Sequence, residues 1–119
     1  MIMYKIAIVG SRVVMRLGVR EEICELLDSF DSDTTIIITG DAKGVDTIVK
    51  REALAKGFTV FVGVPAWDAR GVGAGKFRNT GIVELADKVY AFWNEKSRGT
   101  YDTITKAKAV GKLVDVYRM

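Results

Sequence analysis

The chain has no histidine, one cysteine and one proline among its 119 residues. Without histidine, Ser-His-Asp and Cys-His catalysis are excluded, and any acid–base chemistry falls to carboxylates, lysine or tyrosine. Cys24, alone, can form no internal disulfide and cannot furnish a conventional zinc site; it fits a reducing cytoplasm. No apolar run approaches the roughly 20 residues that cross a bilayer, and no signal-peptide pattern opens the chain. These absences predict a cytoplasmic protein with no membrane partner, no metal, no cofactor and no catalytic residue of the usual kinds.

What is present is ordinary for a globular domain: 49% hydrophobic and 28% charged residues, on a length that suits one core over residues 1–119. The net charge of +3 suits an anionic ligand and is weak for a nucleic-acid binder. The most informative stretch is Ile36 to Asp46, IIITGDAKGVD. Three isoleucines between threonines, stopped by Gly40, read as a buried strand. Gly40, Asp41, Lys43 and Gly44 then form a small polar turn, and a helix begins near Val45. A strand, a glycine turn and a helix N-terminus gather free backbone N–H groups and a dipole's positive end, as an anion site requires. The plain reading of the same turn is an ordinary connection, with Asp41 or Asp46 capping the helix and Lys43 in water.

The pattern recurs. Met3 to Val9 reads as a strand that stops at Gly10, followed by Ser11 and Arg12. Ile23, Leu26, Leu27 and Phe30 lie on one helical face, with Cys24 beside it as a core or boundary thiol. After the Gly44 turn a helix runs to about Lys56, with Val45, Ile48, Val49 and Ala53 inward and Gly57 as its stop. Phe58 to Val64 is a third strand. Gly71 to Lys76 superficially suggests a P-loop, but Arg70 stands where a glycine is needed and Phe77 where Ser or Thr would hold magnesium. Phe77, Ile82, Leu85 and Ala86 then make a helical face, with Gly81 allowing close packing. Lys88 to Trp93 is a fourth strand. Asn94 to Thr100 again combines glycine, hydroxyls and cations, before a helix from about Thr100 to Val110 and a last strand, Leu113 to Tyr117.

Alternating strands and helices predict an α/β fold: a three-layer, Rossmann-like parallel sheet of about five strands, order 3-2-1-4-5, with helices on both faces. That order sets strands one and four side by side, so Gly10-Ser11-Arg12 and Ser97-Arg98-Gly99-Thr100 wall the crevice where such folds bind ligands.

The ordered motifs GSR, TGDAKGVD, PAW with GAGKFRN, ADKVYAFW and SRGTYDTI resemble a small stand-alone branch of the SLOG superfamily, which includes DNA-processing protein A and the Lonely Guy enzymes. The likeness spans nearly the whole chain and implies binding of nucleotides or nucleotide-derived signals. Asp41 replaces the second of the family's paired glycines, which directs it toward ribose hydroxyls or water. Gly99-Thr100 is kept, but Thr103 stands where the Lonely Guy catalytic glutamate falls.

The leading expectation is therefore a protein that senses or sequesters a small nucleotide-like ligand, ADP-ribose-like or cyclic, without turnover. Arg12, Lys43, Arg78 and Arg98 would neutralise phosphates. Glycine N–H groups, Ser11, Asn79, Ser97 and Thr100 would supply hydrogen bonds, and Trp67 or Trp93 would stack a base. For Arg78 and Asn79 the alternative is a solvated first helical turn; for Trp93 it is core packing. A second reading is a phosphoribohydrolase-like enzyme using Asp46, Asp68 or Asp102. A third, a single-strand nucleic-acid module, is disfavoured by the modest charge and the lack of an aromatic stripe. The short chain and the habit of SLOG relatives predict a homodimer or larger homo-oligomer.

Overall fold

The computed structural model describes residues 3–14, 16–64 and 73–119. Five strands form one sheet: β1 (Tyr4–Gly10), β2 (Thr35–Gly40), β3 (Thr59–Gly63), β4 (Lys88–Trp93) and β5 (Leu113–Arg118). All neighbours are parallel and the order is β3-β2-β1-β4-β5, as the alternation of elements predicts. Helices α1 (Val19–Asp28), α2 (Val45–Ala55), α3 (Ala74–Leu85) and α4 (Arg98–Ala109) cross between successive strands.

The twofold alternation of side chains along each strand divides the core. Ile6, Ile8, Ile37 and Phe92 point to one face, where they meet Val19, Ile23 and Leu27 of α1 and Val45, Val49 and Ala53 of α2. Ala7, Val9, Ile38, Val89 and Ala91 point to the other, against Ile82 and Val83 of α3, then Ala86, and Ala107 of α4. The triple isoleucine thus serves both faces, as expected of a strand buried on two sides. Each fully buried branched side chain contributes about 1.5–3 kcal/mol relative to exposure.

Several local expectations need correction. Phe30 lies beyond the end of α1, where its ring meets Tyr90 edge-on at 5.9 Å. Of the face expected on α3, Ile82 and Ala86 are buried but Phe77 is 56% and Leu85 38% exposed, and Ala74, Asn79 and Val83 are buried beside Ile82. Among the described residues, a Cβ on Gly81 would meet no atom within 4 Å beyond its own stretch of helix. Pro65 to Val72, including Trp67 and Asp68, lies outside the described residues.

β1 runs up the middle of the sheet and ends on a glycine because no side chain fits there. A Cβ on Gly10 would collide with Val45 of α2 and lie 2.6 Å from the Phe92 carbonyl oxygen. Gly10→Ala should therefore lose about 2–3 kcal/mol of stability in urea denaturation, since sheet and helix would both have to shift. Gly99→Ala, whose methyl meets no described residue within 4 Å, should stay within about 0.5 kcal/mol of wild type. Equal losses at both positions would contradict the close approach of α2 to β1.

Candidate nucleic-acid interface

The ends of β1 and β2 are joined to α2 through one buried carboxylate. Asp46 is 3% exposed and accepts the Gly10 N–H at Oδ1 (3.1 Å) and the Ala42 N–H at Oδ2 (3.3 Å). The Val45 N–H at the start of α2 donates to the Ser11 carbonyl (3.1 Å). Gly44, at φ +75°, closes the joint: a Cβ there would collide with the Arg12 carbonyl and sit 2.6 Å from that of Ser11. Ser11 itself is fully buried. Its N–H donates to the Phe92 carbonyl, and its hydroxyl accepts the Asn94 N–H at 3.1 Å. Ser11 and Asp46 therefore brace the loops from within. Donors expected to face a ligand at the start of α2 are in part already committed to the protein.

The open part of the edge lies between α2 and α4. A cavity of about 290 Å³ is lined by Arg12, Gly40, Asp46, Arg78, Arg98 and Thr100, among others. It adjoins a second, of about 500 Å³, that shares Arg12, Arg78 and Arg98 and adds Lys43 and Lys76. Gly10, Asn79, Ser97 and Gly99 also line the first cavity; Asp41 and Asp102 line the second. Most of the residues singled out in the sequence thus meet in one cleft. Ser11 is behind its wall, and Trp93 stands on the far flank of α4, where it lines a separate groove.

The cations are held in two different ways. Arg78 is locked: its guanidinium donates to Asp41 (3.1 Å), the Gly63 carbonyl (3.3 Å) and Asn79 Oδ1 (2.9 Å), and its side chain is only 14% exposed. Asp41 thus meets an arginine, where the sequence pointed to ribose or water. Gly40 makes room for this arrangement, since a Cβ there would strike the Arg78 guanidinium and lie 2.5 Å from Asp46. Asn79 is buried, contrary to a solvated first turn, and its amide bridges to the Gly99 carbonyl (3.2 Å) and Asp102 (3.0 Å). By contrast, no described residue pairs with the side chains of Arg12, Lys43 or Arg98.

α4 begins at Arg98, two residues before the Thr100 start expected from the sequence, with Ser97 as its cap. Ser97 Oγ accepts the Thr100 N–H at 3.3 Å, fixing the first turn. Among the described residues no acceptor meets the Arg98 or Gly99 N–H, so this helix end still has donors to offer. Thr103 is buried and donates back to the Gly99 carbonyl (3.2 Å), while Asp102 pairs with Lys106 (2.9 Å). Of the carboxylates considered for hydrolysis, Asp102 is thus engaged by a lysine, Asp46 by backbone N–H groups, and Asp68 is not described. No group of three His, Cys, Asp or Glu among the described residues is arranged to hold a metal ion. Nor is any described helix long and apolar enough to cross a membrane. The Cys24 thiol donates to Glu52 (3.3 Å), and burial pushes its pKa up, away from reactivity.

Fold and site together define a Rossmann-like domain with a cationic cleft at the carboxyl edge of its sheet. The chain belongs to the DNA recombination-mediator protein A family, whose model matches residues 2–69. Its fold is similar to that of DNA processing protein A from Helicobacter pylori, a structure describing a unique single-stranded DNA binding mode. The TM-score is 0.73 at 21% identity, over 94% of this chain and 64% of that one. It is similar also to DNA processing protein A from Streptococcus pneumoniae, with a TM-score of 0.77 at 21% identity over 98% of this chain and 50% of that one. The chain thus spans less than two thirds of either relative. A comparison with curated proteins returned no match.

These findings overturn the expectation of a small-molecule nucleotide sensor, and with it the demotion of nucleic acid as a partner. The family and both solved relatives are DNA-processing proteins, and one is described for its binding of single-stranded DNA. The error has a physical source. A net charge of +3 averages the whole surface, whereas Arg12, Lys43, Lys76, Arg78 and Arg98 converge on one edge.

The carboxylate beneath this cleft has an unusual titration. Burial raises the Asp46 pKa from 3.8 to about 6, against the opposing pull of the Gly10 N–H, Arg78 and the Ala42 N–H. A raised folded-state pKa means that the contribution of Asp46 to stability is full below about pH 4 and is lost as pH rises through about 6. At neutral pH the ionised group costs about 3 kcal/mol relative to an unshifted one. Relative to wild type, Asp46→Asn should gain about 2–3 kcal/mol between pH 4 and pH 7, read from urea midpoints. A difference that does not change with pH would place Asp46 in the ordinary carboxylate range.

Proposed function

We propose that this chain is a single-stranded DNA-binding module that holds the sugar-phosphate backbone in the cleft between α2 and α4. The observation that carries the reading is the convergence of Arg12, Arg78 and Arg98 in one cavity, continued by Lys43 and Lys76 in the next. A single phosphate needs one such cluster. Two adjoining cavities lined by cations suit a polyanion that passes through both. The family match, which covers both the Gly10 and the Gly40 loops, supports the same reading.

Within the cleft the residues divide the work. Arg78, pre-positioned by Asn79 and Asp41, offers a fixed charge at the floor. Arg98 extends from the first turn of α4, beside the unpaired N–H groups of Arg98 and Gly99. A guanidinium fork and a helix N-terminus then act on the same phosphate, a geometry that lysine does not reproduce. Arg12 and Lys43 stand on the opposite wall and neutralise the neighbouring phosphates.

The test is fluorescence anisotropy of a labelled oligothymidylate against salt concentration. Arg98→Ala should weaken binding roughly ten- to a hundredfold and lower the slope of log K against log salt by about 0.7. Lys88→Ala, at the opposite edge of the sheet where β4 begins, should change affinity by less than about twofold. Equal losses in both variants would reduce the effect to general electrostatics and remove the cleft from the account.

A further inference from the structure

α4 presents two different flanks. Arg98, Thr100 and Thr103 line the cationic cleft, while Tyr101, Ile104 and Lys108 line a separate groove of about 400 Å³ over β4 and β5. At the head of that groove Tyr101 is 56% exposed. Its ring lies against Trp93, with centroids 5.6 Å apart and planes inclined by 35°. The indole is fixed in turn, because its Nε1–H donates to the Ser97 carbonyl at 3.0 Å. The same carbonyl accepts the Tyr101 N–H at 3.1 Å. One backbone oxygen, in the residue that caps the helix and lines the cleft, therefore positions both aromatic residues.

Resting on the single-stranded DNA reading above, we propose that the Trp93–Tyr101 pair is a base-stacking platform beside the phosphate site at Arg98. Tyr101 follows Arg98 by three residues, which on a helix makes the two side chains neighbours. A strand leaving the cleft over the start of α4 meets an aromatic face already backed by a second ring. Stacking on a surface fixed in advance carries little ordering cost. Charge favours a nucleic-acid occupant over an apolar one: Lys108 and Arg118 flank the groove, and Lys96 lies in the loop that leads into it. Arg118 is paired with Glu95, which leaves Lys108 as the groove's cation without a described partner. Stacking needs only the π-face of a base, so the platform accepts any of the four bases and adds affinity without sequence choice.

The test separates bases from backbone. Two probes of equal length are used: oligothymidylate, and an abasic deoxyribose-phosphate strand. Wild type should bind both, the thymidylate about tenfold more tightly or better. Tyr101→Ala should bring thymidylate binding down to the abasic level and leave abasic binding and the salt slope unchanged. Tyr101→Phe should keep the preference. In a Trp67→Phe background Trp93 is the one indole left, and thymidylate should quench its fluorescence where the abasic strand does not. If wild type binds both probes and Tyr101→Ala retains the full preference for bases, the platform is overturned and the cleft stands. The platform also fails if Tyr101→Ala weakens both probes alike. If wild type binds neither probe at low salt, the single-stranded DNA reading itself fails.

Discussion

The carboxylate of Asp46 is the constraint on which the edge of this sheet depends. Two backbone N–H groups, from the last residue of β1 and from the turn after β2, converge on it, the first of them buried. An acceptor must stand there, because a buried N–H without a partner costs about 1–3 kcal/mol. A carboxylate does this at the expense of its own hydration, which is why its pKa is pushed up to about 6. The residues around it are small for the same reason. Gly10, Gly40 and Gly44 each sit where a Cβ would overlap Val45, the side chains of Arg78 and Asp46, or the Arg12 carbonyl. What reads in the sequence as a phosphate-binding turn is a tightly packed joint.

That joint shapes one of two helix starts at the same edge. The Val45 N–H of α2 is taken by the Ser11 carbonyl, and the first-turn side chain of Asp46 is turned inward. In α4 the Thr100 N–H is taken by the Ser97 hydroxyl. Each helix thus keeps two first-turn N–H groups without a described acceptor, those of Asp46 and Thr47 in α2 and those of Arg98 and Gly99 in α4. What differs is the first-turn side chain beside them, a buried carboxylate in α2 and an arginine lining the cleft in α4. The carboxylate disfavours an anion at the first helix and the arginine favours one at the second.

Much of this was legible in the sequence because strand and helix patterns differ in period and glycine ends each of the first two strands. Ile36 to Ile38, the stop at Gly40, Lys88 to Trp93 and the parallel order all followed from local pattern and from right-handed crossovers. The cleft was legible as a set of loops brought to one edge. Its interior was not. Burial of Ser11 and Asn79 arises from contacts 20 to 83 residues away in sequence, to Gly99 and to Asn94, which no local pattern carries. The Trp93–Tyr101 pair escaped for a similar reason. Eight positions apart, across a strand end and a helix start, the two residues belong to no periodic stripe, and only the turn at Ser97 brings them together.

The distribution of partners among the cations also bears on which anion the cleft would prefer under the single-stranded DNA reading. Arg78 enters binding already desolvated and oriented, so little side-chain entropy remains to be lost. Its charge is balanced in the empty cleft by Asp41, however, and a phosphate gains from it only in addition to that carboxylate or in its place. Arg12, Lys43 and Arg98 carry the opposite balance: their charge is uncompensated by described residues, but each must give up rotamer freedom to bind. A small mobile anion draws little from the second group, because it can satisfy one side chain at a time. A backbone with regularly spaced charges engages several at once, and after the first contact the others form at high local concentration. The mixture of one fixed and several free cations therefore favours an extended polyanion over an isolated phosphate, independently of the total charge of the chain.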